Sequence, residues 1–115
     1  LVFLDFEYFG WDDPVKLTAD ILLHPGMTLS AEEEDRFRRG LADIYRGDVT
    51  YGSRLATLWP LFGLRWCLIL LNEFLPERWF RRAYADAGLD HATTRARQLD
   101  KAEGMLRRVC AEEEE

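Results

Sequence analysis

A mainly α-helical fold, opened by one short strand or hairpin remnant at the N-terminus, is predicted by three observations in this 115-residue sequence. Apolar residues recur at helical spacing from Val15 onward, capping residues and prolines punctuate that pattern, and only the start of the chain, within 1–13, reads as a strand. No internal repeat, low-complexity linker or convincing second strand run is present.

The run Leu1-Val2-Phe3-Leu4 is apolar and ends in Asp5, so a buried strand is expected to deliver a carboxylate to a fixed place. Gly10 and the cluster Asp12-Asp13-Pro14 then turn the chain into the first helix, with Pro14 at its first position behind Asp12 or Asp13 as cap. Val15, Ala19 and Leu22 mark the inner face of that helix, and His24-Pro25-Gly26 stops it. Ser30 and Glu33 form a capping box for a second helix, on which Phe37, Leu41, Ile44 and Tyr45 share one face before an end near Gly47. From Val49 to Phe74 the pattern is helical, with a kink or break expected before Pro60, whose ring cannot donate a backbone hydrogen bond. Pro76 starts a short helix over Glu77 to Ala87, closed by Gly88. Asp90 caps a last helix on which Ala92, Ala96, Leu99, Leu106 and Val109 are expected to face inward. The chain thus divides into a strand and loop over 1–13 and a helical part over 14–115.

At 48% hydrophobic and 13% aromatic residues the chain can bury one core and leaves no room for two independent domains. A net charge of −6 argues against a nucleic-acid surface, which needs a clustered excess of Lys and Arg. Glu112 to Glu115 supply much of that charge and read as a solvated helix end. Cys67 and Cys110 lie far apart, without His or Cys at metal-ligand spacing, and are expected to be reduced core thiols of a cytoplasmic protein. The apolar stretch Leu55 to Leu75 is interrupted by Pro60, Gly63, Arg65, Asn72 and Glu73, so a central buried helix is expected rather than a membrane span.

Asp5, Glu7, Asp12, Asp13 and Asp20 put several carboxylates near the first turn, and oxygen-rich clusters of this kind suit a hard cation such as Mg²⁺. The run Leu4-Asp-Phe-Glu-Tyr-Phe-Gly-Trp-Asp-Asp-Pro-Val-Lys-Leu-Thr-Ala-Asp20 resembles the metal-binding segment of the aminoglycoside phosphotransferase and choline kinase-like family. There an Asp-Phe-Glu motif stands where protein kinases have Asp-Phe-Gly, and a second Asp follows on the next helix, where Asp20 lies. Gly63 to Phe74 and Gln98 to Ala102 resemble the helical tail of bacterial members.

That resemblance implies the helical C-terminal subdomain of a protein kinase-like fold, with Asp5 as Mg²⁺ ligand, Glu7 as a supporting carboxylate beside the nucleotide, and ATP and a small hydroxyl-bearing acceptor as partners. It implies that Asp20 hydrogen-bonds the backbone of the family's His-Gly-Asp catalytic loop. Neither that loop nor the nucleotide-binding lobe occurs in these 115 residues, which open at Leu1 without an initiator Met. The chain is therefore expected to be the C-terminal piece of a longer kinase, with no catalytic residue of its own, inactive alone, and with Asp20 left short of its partner.

Plainer readings stand beside these. Asp12 and Asp13 are explained mostly by capping and by the helix macrodipole. His24 belongs to loop structure, and Trp11, Trp59, Trp66 and Trp79 read as core rather than a substrate cage. Glu73 or Glu77 is a candidate for meeting a cationic acceptor, while Arg78, Arg81 and Arg82 fit an exposed helix face. Phe3-Leu-Asp-Phe-Glu7 narrowly misses the Asp-x-Asp pattern of haloacid dehalogenase-like phosphatases, since Glu7 is the wrong acid. The alternative outside enzymology is a helical interaction module that forms a homo-oligomer through apolar surface a missing lobe would cover.

Overall fold

A computed structural model describes residues 10–85 and 90–111, and all regular structure among them is helical. The strand expected at the start of the 1–13 segment, with Asp5 and Glu7, falls on residues 1–9, which lie outside the described residues. Five α-helices follow one another: α1 (Pro14–Leu22), α2 (Ala31–Ile44), α3 (Tyr51–Leu70), α4 (Pro76–Ala85) and α5 (His91–Ala111), with a 3₁₀ turn over Leu71–Phe74 after α3.

Local chemistry sets most of the helix starts. Asp13 caps α1 by accepting from the Val15 N–H at 2.9 Å, and Pro14 occupies the first position, where no donor is needed. Ser30 accepts from the Glu33 N–H at 3.3 Å while Glu33 accepts from the Ser30 N–H at 2.7 Å, the reciprocal capping box of α2. Asp90 starts α5 by accepting from the Thr93 N–H at 2.7 Å. These contacts hold the carboxyls of Glu33 and Asp90 below their ordinary range, through Ser30 and Thr93 respectively, and the Thr50 hydroxyl does the same for Asp48. A carboxyl lowered in the folded state adds stability above its unfolded pKa of about 4 and loses that contribution as pH falls through the folded value. Melting temperature is therefore expected to fall below about pH 4. The Glu33→Gln/Asp90→Asn variant, melted across that range, should show a smaller fall.

The core is a three-helix arrangement. Ala19, Leu22 and Leu23 at the end of α1 meet Trp59, Cys67 and Leu70 of α3 and Ala102, Met105 and Val109 of α5. Helices α3 and α5 run antiparallel: Gly63 lies against Val109, the Cys67 thiol reaches the Ala102 carbonyl at 3.5 Å, and the His91 imidazole approaches the Glu73 carbonyl at 3.3 Å. Gly63 permits that approach, because a Cβ there would sit 2.1 Å from Val109 Cγ2. Between α1 and α3, Thr18 Oγ1 donates to the Pro14 carbonyl at 2.8 Å. Its single proton thus used, it accepts from the Tyr51 hydroxyl at 2.7 Å.

Four expectations from the sequence are corrected. First, α3 passes through Pro60 without a break. The ring leaves the Ala56 carbonyl without its helical donor, but Ala56 is exposed and water can serve it, while Trp59 anchors the helix in the core. Second, the inner face of α5 is Thr94, Ala102, Met105 and Val109, whereas Ala92, Ala96, Leu99 and Leu106 are exposed. Third, Cys110 is exposed and only Cys67 is a core thiol, raised above its usual pKa by burial. Fourth, Trp11 is fully exposed rather than core.

The stretch containing α3 is only partly buried. Tyr51–Phe74 is long and apolar enough to cross a membrane by length and composition, with a mean hydropathy of 1.4, despite the interruptions expected to disqualify it. In this fold its Trp59, Gly63, Cys67 and Leu70 pack inward, as in a core helix, while the opposite face stays bare.

Helix α2 buries none of its residues, although Phe37 packs partly against the core. Arg108 ties it to the bundle, donating to the Leu22 carbonyl at 3.1 Å and to both Glu34 carboxylate oxygens at 3.0 Å. The Arg38 guanidinium adds a contact 4.4 Å above the Trp59 ring. The chain exposes 8908 Å², against roughly 6,500 Å² for a compact monomer of its mass.

Candidate functional site

The start of α1 brings Asp12, Asp13 and Asp20 to one polar pocket of about 400 Å³, lined also by Trp11, Lys16 and Tyr45. Asp12, Lys16 and Asp20 follow one another at four-residue steps and so share a helix face. Lys16 Nζ lies 2.6 Å from Asp12 and 3.4 Å from Asp20. The Lys16 ammonium holds the Asp12 carboxyl below its ordinary range, and Asp12 raises Lys16 in return. Both groups are open to water, so the pair orders side chains more than it stabilises the fold.

The other two acids are tied to α3. Arg54 donates to Asp13 at 3.0 Å and to Asp48 at 2.5 Å, joining the α1 cap to the turn before α3. Arg65 forms an ion pair with Asp20, whose side chain is three-quarters buried. This corrects the expectation that Asp20 stands without a partner when the catalytic loop is missing: a guanidinium from 45 residues downstream neutralises it. Tyr45 stacks on Tyr51 at 5.4 Å and closes the pocket on one side.

This arrangement offers carboxylates already compensated by cations. Among the described residues no group of three or more His, Cys, Asp or Glu side chains forms a metal cage. Asp13 caps α1 and pairs with Arg54, whereas Asp12 accepts from the Asp13 N–H and pairs with Lys16 instead of capping the helix, and Asp20 pairs with Arg65. The residues assigned to metal and nucleotide, Asp5 and Glu7, lie outside the described residues, immediately upstream of the pocket in sequence.

Of the remaining candidates, His24 is structural: Nδ1 accepts from the Gly26 N–H at 3.0 Å, and the ring meets Trp66 edge-on at 4.9 Å. Glu73, within the 3₁₀ turn, is buried, while Glu77 is exposed. Sequence reasoning missed Arg54 and Arg65 as the groups that fix Asp13 and Asp20. Lys16 had a visible signal, its four-residue spacing from Asp12 and Asp20.

Comparison of the chain with protein-family models, with curated proteins and with solved structures finds no match.

Proposed function

We propose that the chain is the metal-binding and helical portion of an ATP-dependent small-molecule phosphotransferase that moves the γ-phosphoryl group to a hydroxyl acceptor, in the cytoplasm. The observation that supports this reading is the order of the sequence, in which the Asp-Phe-Glu segment is followed by a two-acid turn and then by α1. In the described part that follows, Asp13 is held by Arg54 and Asp20 by Arg65. Phosphoryl transfer depends on positioned charge, and a carboxylate just ahead of these ion pairs is suited to it.

In this reading Asp5 is the ligand of Mg²⁺ and Glu7 supports the nucleotide side of the site. The cation would neutralise charge on the phosphates. The described residues hold the turn: Asp13 accepts the first amide of α1, Arg54 fixes Asp13, and Lys16 keeps Asp12 ionised at the pocket mouth. Positioning of the acceptor hydroxyl and of the triphosphate would need groups beyond these 115 residues, so the chain alone is inactive.

The test is the coding sequence upstream of Leu1 together with the intact mass of the natural product. A longer product carrying a His-Gly-Asp segment with an Asn shortly after it is the expected result. In that product Asp5→Ala should lower ATP-dependent phosphorylation at least about a thousandfold without unfolding the protein. A natural chain beginning at or near Leu1 would overturn the reading.

A further inference from the structure

Helix α2 is amphipathic but does not bury its apolar side. Arg36, Phe37, Gly40, Leu41 and Ile44 recur at three- and four-residue steps and so share one face of the helix. Such a face ordinarily packs into a core, yet α2 buries none of its residues. It opens instead on a groove of about 600 Å³, completed by Ile21 of α1 and by Met27 and Leu29 of the link that follows. That volume lies within the range of small-molecule sites, and a predominantly apolar lining is typical of them.

Gly40 and Arg36 narrow what would fit. Gly40 stands inside α2, where glycine weakens a helix, and a Cβ there would meet nothing within 4 Å. No packed neighbour requires a glycine at this point, and its bare backbone leaves a notch in the groove wall. Arg36 is the one cation among the described lining residues. It is exposed and forms no ion pair among the described residues, whereas on the same helix Arg39 pairs with Asp35 at 2.7 Å and Arg38 lies 4.4 Å over the Trp59 ring. Glu33, the other charged lining residue, has its carboxylate engaged in the capping box, accepting from the Ser30 N–H at 2.7 Å and the Ser30 hydroxyl at 2.9 Å. From Arg36 to Ile44 the groove follows α2 for about 12 Å, with a cation at one end and apolar side chains along the rest.

We propose that this groove binds a free fatty carboxylate of medium length, its hydrocarbon chain laid along α2 past Gly40 and its head group on Arg36. A guanidinium holds a carboxylate through paired charge-assisted hydrogen bonds, and the apolar lining takes the chain out of water. A notch left by one missing side chain admits a single hydrocarbon chain, whereas a docking helix, about 10 Å across, is too wide to enter it. The inference does not depend on the phosphotransferase reading, because this groove shares no lining residue with the pocket of Asp12, Asp13 and Asp20.

Calorimetric titration of the 115-residue chain with decanoate tests it, in about 0.15 M salt so that the net charge of −6 is screened beyond about 8 Å. One-to-one binding with a Kd on the order of 100 µM is expected. Decylammonium, the same chain with a cationic head, should bind about fivefold more weakly, and Arg36→Gln should remove that preference. Gly40→Leu should abolish binding while raising the melting temperature, because leucine fills the notch and favours the helix over glycine. Ile44→Glu, which sets a like charge at the exposed far end, should weaken decanoate binding as well. No decanoate binding up to about 5 mM, equal binding of the two head groups, or decanoate binding unchanged by both Gly40→Leu and Ile44→Glu would each overturn the proposal. So would a chain that fills the groove with its own copy, seen in sedimentation as a dimer that Ile44→Glu dissociates.

Discussion

Replacing Gly63 by valine should cost about 3 kcal/mol or more of folding stability, one of the two largest effects expected of single substitutions here. Even an alanine Cβ would lie 2.1 Å from Val109 Cγ2 and 3.1 Å from both Val109 Cβ and Cγ1, so α3 and α5 would have to separate. Val109 is β-branched and fully buried, and has no free rotamer into which to retreat. Gly63→Ala should be milder, because about 1 kcal/mol of helix propensity offsets part of the clash. The decisive comparison is Gly63→Ala in a Val109→Ala background, measured by urea unfolding. There the same change should become neutral or stabilising, a strongly non-additive result. Equal effects in both backgrounds would show that the helices do not meet at this point.

The second large effect is expected at Leu23. It is fully buried in the cluster that joins α1 to α3 and α5, so Leu23→Ala removes apolar contacts and leaves a cavity, at a cost of about 2–5 kcal/mol. Leu17, six residues earlier, is half exposed. Leu17→Ala should fall within about 0.5 kcal/mol of the parent. Denaturant midpoints of the two variants check the placement of α1, since a helix rotated by half a turn would exchange the two outcomes.

What was legible in the sequence was local. The caps at Asp13, Ser30 with Glu33, and Asp90 depend on side chains that bond amides two or three residues away, so residue type and spacing sufficed. The mainly α class followed from the same signals. The orientation of α5 was not legible, because two stripes share the helical period: Ala92, Ala96, Leu99 and Leu106 form one, Ala102, Met105 and Val109 the other. Hydropathy favoured the leucines, but the space beside α3 takes small or flexible side chains next to Gly63 and Cys67. Pro60 misled for a related reason: tertiary packing held α3 together where propensity alone argued for a break. At the candidate site the acids were found and their cations were not. Arg54 and Arg65 reach Asp13 and Asp20 across 41 and 45 residues, and no local pattern carries that information.

The loose attachment of α2 has a consequence for how the chain opens. Its capping box and internal ion pair keep the helix formed, yet it contributes no buried residue, so lifting it from the bundle uncovers little surface. Amide protons of 31–44 should therefore exchange with solvent through excursions nearly insensitive to denaturant, while those of α3 and α5 wait for global unfolding. Arg108 is the polar tie that holds α2 down: weakening that guanidinium should leave the three-helix body intact, with 31–44 as a loosened loop tethered at both ends to α1 and α3.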